Sequence, residues 1–100
     1  GDDWSNRANE ALNDKNSKLM ENLIKTYENS AEKNRDFASM LLAAKMYNSL
    51  GRNEMARQTI KSAIEKIQNQ QQLDELSSLA KTMGFELPKN LQDRLNQKVV

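Results

Sequence analysis

Histidine and cysteine are both missing from this chain, and the two absences together remove most familiar chemistry. Without cysteine there is no disulfide, no thiolate ligand and no thiol nucleophile, and the redox compartment leaves no mark. Without histidine the commonest general base and the commonest metal ligand are gone, along with every Ser/His or Cys/His arrangement. The three glycines stand far apart, at positions 1, 51 and 84, so there is no glycine-rich phosphate loop. One proline in 100 residues fits long helices joined by few turns. Aromatic residues make up 5% of the chain and hydrophobic residues 37%, so the core has to be small and mostly aliphatic. No apolar run approaches the roughly 18 residues of a membrane-spanning helix. This length suits one helical domain over 1–100, with a single core.

Charge is also scarce in net terms. Fifteen basic and fourteen acidic residues leave +1, less than nucleic acid or an anionic membrane surface usually requires. Glu28, Glu32 and Asp36 recur every fourth residue, but Lys25, Lys33 and Arg35 are interleaved with them. Carboxylate sites in helical proteins normally draw on facing helices or histidine, so a solvated face is expected. The pairs Glu10/Asp14 and Asp74/Glu75 lie on polar helix faces, where water keeps carboxylates ordinary. No catalytic, metal or cofactor site is expected, and the chain reads as no enzyme.

What the chain does have is concentrated between Phe37 and Ile67. Phe37, Met40, Leu41, Ala44 and Tyr47 recur at spacings of three and four, and Leu42 and Leu50 widen the stripe, so this helix needs cover on more than one side. Gly51 suits the left-handed closure of a helix C-terminus, and Asn53 has the side chain of an N-cap for the next helix. So short a connection forces an antiparallel hairpin. In the second arm Met55, Ala56, Ile60, Ala63, Ile64 and Ile67 share a face, opposite Arg57, Lys61 and Glu65. Alanines at 43, 44, 56 and 63 let the two backbones approach closely.

These residues resemble a tetratricopeptide repeat, in which two helices pair within 34 residues. Met40 takes the first large slot, Ala43 and Ala44 the close-packing positions and Tyr47 the tyrosine position. Leu50 and Gly51 form the turn, Ala56 is the buried alanine of the second helix, Ile60 takes the large slot and Ala63 the last small one. Met40 replaces the usual tryptophan, Ala44 replaces glycine, and the polar stretch 68–72 stands where a proline often ends the repeat. The resemblance covers about a third of the chain.

The flanks read as further helices. Ala8, Leu12, Leu19, Leu23 and Tyr27 stay on one side of the stretch 4–29, joined by Met20 and Ile24, with Asp2 and Asp3 placed to cap it. Its middle, 13–17, has no apolar residue and is either an exposed turn of one long helix or a break between two; continuity is the preferred reading. Trp4 is expected to staple the chain start to the core rather than stack on a ligand. Either Asn34 or Asp36 can cap the central hairpin. The tract 68–72 reads as a frayed helix end plus loop. Leu73, Leu76, Leu79, Ala80 and Met83 mark a helix of about eleven residues, closed by Gly84 with Phe85 folding back on it. Pro88 suits the first turn of a final helix carrying Leu91, Leu95 and Val99. Gly51 and Gly84 stand 33 apart, which predicts a second, degenerate hairpin stacked on the first.

The expected fold is therefore all-α: 4–36 as N-terminal helix or helices, 37–67 as the repeat-like hairpin and 73–99 as a C-terminal hairpin or cap. By resemblance the hairpins stack as a short right-handed superhelix of tetratricopeptide type. An up-and-down four-helix bundle is the alternative. The family's groove is lined by exposed residues of each first helix; the resemblance places Ala38, Leu41, Lys45, Asn48 and Ser49 there. Leu41 stands where the family's carboxylate-clamp pattern has lysine, which points to an apolar or helical partner rather than an acidic C-terminus.

The leading functional expectation is a non-catalytic module that docks a peptide or helix of another protein. A structural domain that pairs with its own copies, a homo-oligomer, is the alternative. Nucleic-acid binding through Arg52, Arg57, Lys61 and Lys66 is less favoured. The segment from 37 to 72 carries about +3 against about −2 over 1–36, which is also what solvated helices commonly look like. Gly1 before Asp2 and Asp3, with no methionine, reads as a junction residue on a trimmed chain. A secreted or periplasmic protein whose signal or lipoprotein leader has been removed is one expectation that follows.

Overall fold

The computed structural model describes residues 2–98, and the side chains of 3–98. It contains six α-helices: α1 (Asp2–Asn13), α2 (Ser17–Asn29), α3 (Phe37–Ser49), α4 (Asn53–Ile64), α5 (Gln70–Thr82) and α6 (Leu91–Lys98). A 3₁₀ turn, Glu32–Asn34, lies between α2 and α3, and no strand occurs among the described residues.

Three residues with positive φ punctuate the chain: Lys15 (52°), Gly51 (78°) and Gly84 (71°). Each closes an odd-numbered helix with the same two backbone bonds. Asn16 N–H donates to the Ala11 carbonyl at 2.9 Å and Lys15 N–H to Leu12 at 3.3 Å. Arg52 donates to Tyr47 at 2.8 Å and Gly51 to Asn48 at 3.1 Å; Phe85 donates to Ala80 at 2.8 Å and Gly84 to Lys81 at 3.0 Å. This pair satisfies carbonyls that a helix end leaves without partners.

The cap at Lys15 corrects the preference for one continuous helix over 4–29. The chain breaks at 14–16, and Asn16 turns at once into the N-cap of α2, accepting the Leu19 N–H at 3.1 Å. A lysine in the left-handed region costs about 1 kcal/mol or more. The break lets Ala8 and Ala11 on one arm and Leu23 and Ile24 on the other all be buried, which one straight rod cannot arrange.

Three other boundaries differ from expectation. Asn53 is the first helical residue of α4 rather than its cap; Arg52 holds the cap position without a side-chain bond, because a guanidinium has no acceptor, while its backbone N–H serves the closure of α3. Helix α5 begins at Gln70, so residues 70–72 are its first turn: Asn69 caps it by accepting the Gln72 N–H, while Gln72 accepts the N–H of Gln68. Pro88 lies before the turn at 89–90 and outside α6; Val99 lies outside the described residues. Of the two candidates for capping α3, Asp36 does so, accepting from the Ser39 N–H at 2.8 Å.

Packing runs in one dimension. Each helix touches its neighbours one place along the chain, and α1 touches α3 as α3 touches α5; the backbones of α1 and α2 do not come close to those of α4, α5 or α6. The result is an elongated body, 42 × 27 × 20 Å. Helix α3 lies at its centre against α1, α2, α4 and α5, and so buries Phe37, Met40, Leu41, Leu42, Ala43, Ala44, Met46 and Tyr47 on almost every side. Ala43, Ala44, Ala56 and Ala63 are fully covered. Small side chains at a helix crossing allow backbones close together at little entropic cost.

Trp4 secures the N-terminal hairpin. Its indole N–H donates to the Leu23 carbonyl at 3.1 Å and its ring stacks on Tyr27, centroids 6.0 Å apart. Thr59 is the buried polar residue of the core, and its hydroxyl donates to the Met55 carbonyl at 2.8 Å.

Candidate functional site

The five residues placed on a partner surface by sequence do not come together. Ala38 is exposed beside the α2–α3 connection. Lys45 is half-buried on α3, facing α5, and Asn48 and Ser49 are half-buried and exposed at the C-terminal end of α3. Leu41 is the exception: it keeps 6% of its surface and belongs to the core. Helix α3 is packed not only by α4 but also by α1, α2 and α5, so its apolar positions are covered on almost every side. Leu41 therefore presents almost nothing to a partner.

Among the surface cavities are four of several hundred Å³. The first lies between α3 and α5, about 440 Å³, lined by Lys45, Asp74, Glu75, Ser78, Leu79 and Thr82. It sits on first helices of successive hairpins and contains one of the expected residues. The second, about 650 Å³, opens between α5 and the irregular segment 84–89, with Leu73, Phe85, Leu87 and Leu91 among its walls.

The third, about 370 Å³, lies between α2 and α4, whose backbones stay apart. Its floor is Met40 and Tyr47, and its rim carries Met55, the exposed large hydrophobic residue of the described chain. Tyr47 donates its hydroxyl to Glu28 Oε2 at 2.6 Å, so Glu28 is a structural acceptor rather than part of a purely solvated face. Burial pushes the Tyr47 phenol up, and the Glu28 carboxylate beside it adds to the effect. Arg35 lies over the Tyr27 ring, 4.4 Å from its centroid. Burial raises the Tyr27 phenol, and the guanidinium opposes that rise.

The fourth, about 400 Å³, is framed by the α2–α3 and α4–α5 connections and includes Lys33, Arg35, Ala38, Lys66, Gln68 and Gln72. Sequence reasoning overlooked Lys33 and Arg35 as members of a site. Their partner Lys66 is some thirty residues away, and no periodicity joins two loops.

The four cations considered for nucleic acid are also dispersed. Arg52 is tied to Glu21, at 2.5 and 2.8 Å to its two carboxylate oxygens. The Arg57 guanidinium lies 5.7 Å from the Phe85 ring centroid. Lys61 is exposed, and Lys66 faces the fourth cavity. Among the described residues, no group of three or more His, Cys, Asp or Glu side chains is arranged to hold a metal ion, and no helix is long and apolar enough to cross a membrane.

No protein-family model, curated protein or solved structure matches the chain.

Proposed function

We propose that the chain is a non-catalytic helical-repeat module of tetratricopeptide type, which docks an extended peptide or a helix of another protein along its first helices. The observation that carries this reading is the neighbour pattern. Every first helix (α1, α3, α5) touches its own partner, α1 and α3 each touch the next first helix, and every second helix that has a successor touches the next first helix as well. A unit that cannot bury its apolar face alone is stabilised in this way by stacking. The left-handed residues at 15, 51 and 84 stand 36 and 33 residues apart, close to the family's 34-residue period, and each ends a first helix. The repeat therefore extends from the central hairpin to both flanks, as three hairpins in a short right-handed superhelix.

The groove between α3 and α5 is the docking surface on this reading. It mixes an apolar contact, Leu79, with Lys45, Glu75, Ser78 and Thr82, a surface that can fix the backbone of a bound segment while leaving its side chains few constraints. Selection from a displayed peptide library, followed by NMR mapping of a selected peptide, tests it. Perturbation of Lys45, Glu75 and Ser78, and weakened binding in Ser78→Arg, are expected. Selected peptides that bind without disturbing α3 or α5 would remove the groove from consideration.

Self-association is the second reading, favoured by the half-buried Phe85 and Leu87 beside the α5 cavity. Sedimentation across a hundredfold range of concentration decides it: a strictly monomeric chain excludes pairing.

A further inference from the structure

The fourth cavity differs from the other three in charge. The α5 cavity carries Asp74 and Glu86 against Lys81 and Lys89, the α2–α4 cavity Glu28 against Arg35, and the α3–α5 groove Lys45 against Asp74 and Glu75. The fourth is lined by Lys33, Lys66 and Arg35, which it shares with the α2–α4 cavity, against a single carboxylate, Asp36. That carboxylate is already committed: its Oδ1 accepts both the N–H and the hydroxyl of Ser39. None of the three cations forms an ion pair among the described residues.

We propose that this cavity, between the α2–α3 and α4–α5 connections, binds a phosphate monoester dianion. The positive excess of about two matches the −1.5 to −2 of such a group near neutral pH; a lone carboxylate would leave one cation unmatched. Arg35 is fixed before any ligand arrives. Its Nε donates to Ser30 Oγ and its Nη2 to the carbonyls of Ser30 and Glu28, while its ring contact with Tyr27 holds the plane. Nη1 makes no hydrogen bond, so a pre-oriented donor remains. Gln72 spends its side-chain oxygen on the Gln68 N–H, which leaves its amide NH₂ as a further donor. About 400 Å³ exceeds what a bare phosphate fills and leaves room for the esterified group. A long polyanion fits less well, because exposed Glu32 and Glu65 adjoin Lys33 and Lys66 in the chain. The site is separate from the α3–α5 groove and does not depend on the peptide-docking reading.

The test titrates the full chain with inorganic phosphate, a phosphoserine peptide with its unphosphorylated counterpart, and AMP, at low salt, by NMR and calorimetry. Saturable shifts centred on Lys33, Arg35, Lys66 and Gln72 are expected with the phosphopeptide, AMP or both, and the tighter of the two names the source of the ester. Lys33→Glu and Lys66→Glu should each weaken binding roughly tenfold. Lys61→Glu, the same charge change on the outer face of α4, should leave affinity within about twofold. Mapping on the unaltered chain needs no variant to fold. Shifts centred elsewhere, no saturable binding by either ester, or equal losses in Lys61→Glu and Lys66→Glu would each overturn the assignment.

Discussion

The central hairpin, α3–α4, and the terminal hairpin, α5–α6, use the same closure, a left-handed glycine with two backbone bonds. What differs is their cover. Helix α3 is flanked by four others and buries residues on almost every side, whereas α6 comes close in backbone to α5 alone, meets the end of α4 through side chains near Ile64 and Ile67, and buries Leu91 and Leu95. Polar contacts supplement that thin apolar seam. Gln70 and Gln92 exchange two amide hydrogen bonds, at 3.0 and 2.7 Å, and Arg94 reaches Glu65 at 3.6 Å between exposed side chains. Exposed ion pairs contribute about 0–1 kcal/mol, so α6 is the least firmly held helix. In a stacked array, stability belongs to neighbours more than to a helix's own residues.

Core truncation breaks this comparison most strongly. Ile60→Ala or Met40→Ala, at fully covered positions, should cost about 2–5 kcal/mol and lower the midpoint of the whole transition in urea. Leu95→Ala should cost less and act locally, with faster amide exchange confined to α6. Equal global losses at positions 60 and 95 would mean that the two hairpins are not held differently.

Removing the cap of α3 comes next. Asp36→Ala should cost about 1 kcal/mol at pH 7. Bonds from the Ser39 hydroxyl and N–H hold the Asp36 carboxyl below its ordinary value of 3.8. A folded-state value below the unfolded one gives stability that is complete above about pH 4 and lost as the pH falls through the lower folded value. The deficit of the variant should therefore shrink in melts below pH 4; a deficit independent of pH would remove the carboxylate from the explanation.

The two glycine caps sharpen the comparison from the opposite side. A Cβ at position 51 or 84 meets nothing within 4 Å, so Gly51→Ala and Gly84→Ala should each cost about 1 kcal/mol through backbone strain alone. Similar losses at a well-covered and a poorly covered hairpin would separate local strain from packing. Smallest is Lys15→Gly, which relieves the left-handed lysine. It should raise stability by up to about 1 kcal/mol, because the looser unfolded chain offsets part of the relief; a loss in thermal melts would show that the lysine side chain contributes at that turn.

Much of the fold was legible where a residue type has a single physical use. Gly51 and Gly84 announced turns because side-chain-bearing residues avoid positive φ, and the apolar stripe of α3, too wide for one partner, announced a central helix. The break at Lys15 was not legible, since nothing in lysine favours that conformation and only the packing of Ala8, Ala11, Leu23 and Ile24 demands it. Leu41 misled for the same reason: its burial depends on the helices that flank α3, not on its own hairpin alone. Glu28 with Tyr47, and Lys33 with Lys66, meet through the stacking of hairpins and leave no periodic trace.

Sequence by itself determined the helical class, the two glycine closures and the alanine-lined crossing of α3 and α4, because each follows from residue types acting over a few positions. Tertiary structure decided the break at Lys15, the burial of Leu41, the one-dimensional order of the helices and the gathering of three cations at one cavity. Those depend on which surfaces meet across distant parts of the chain, and the free energy of that meeting outweighs a local cost of about a kcal/mol such as the one Lys15 carries.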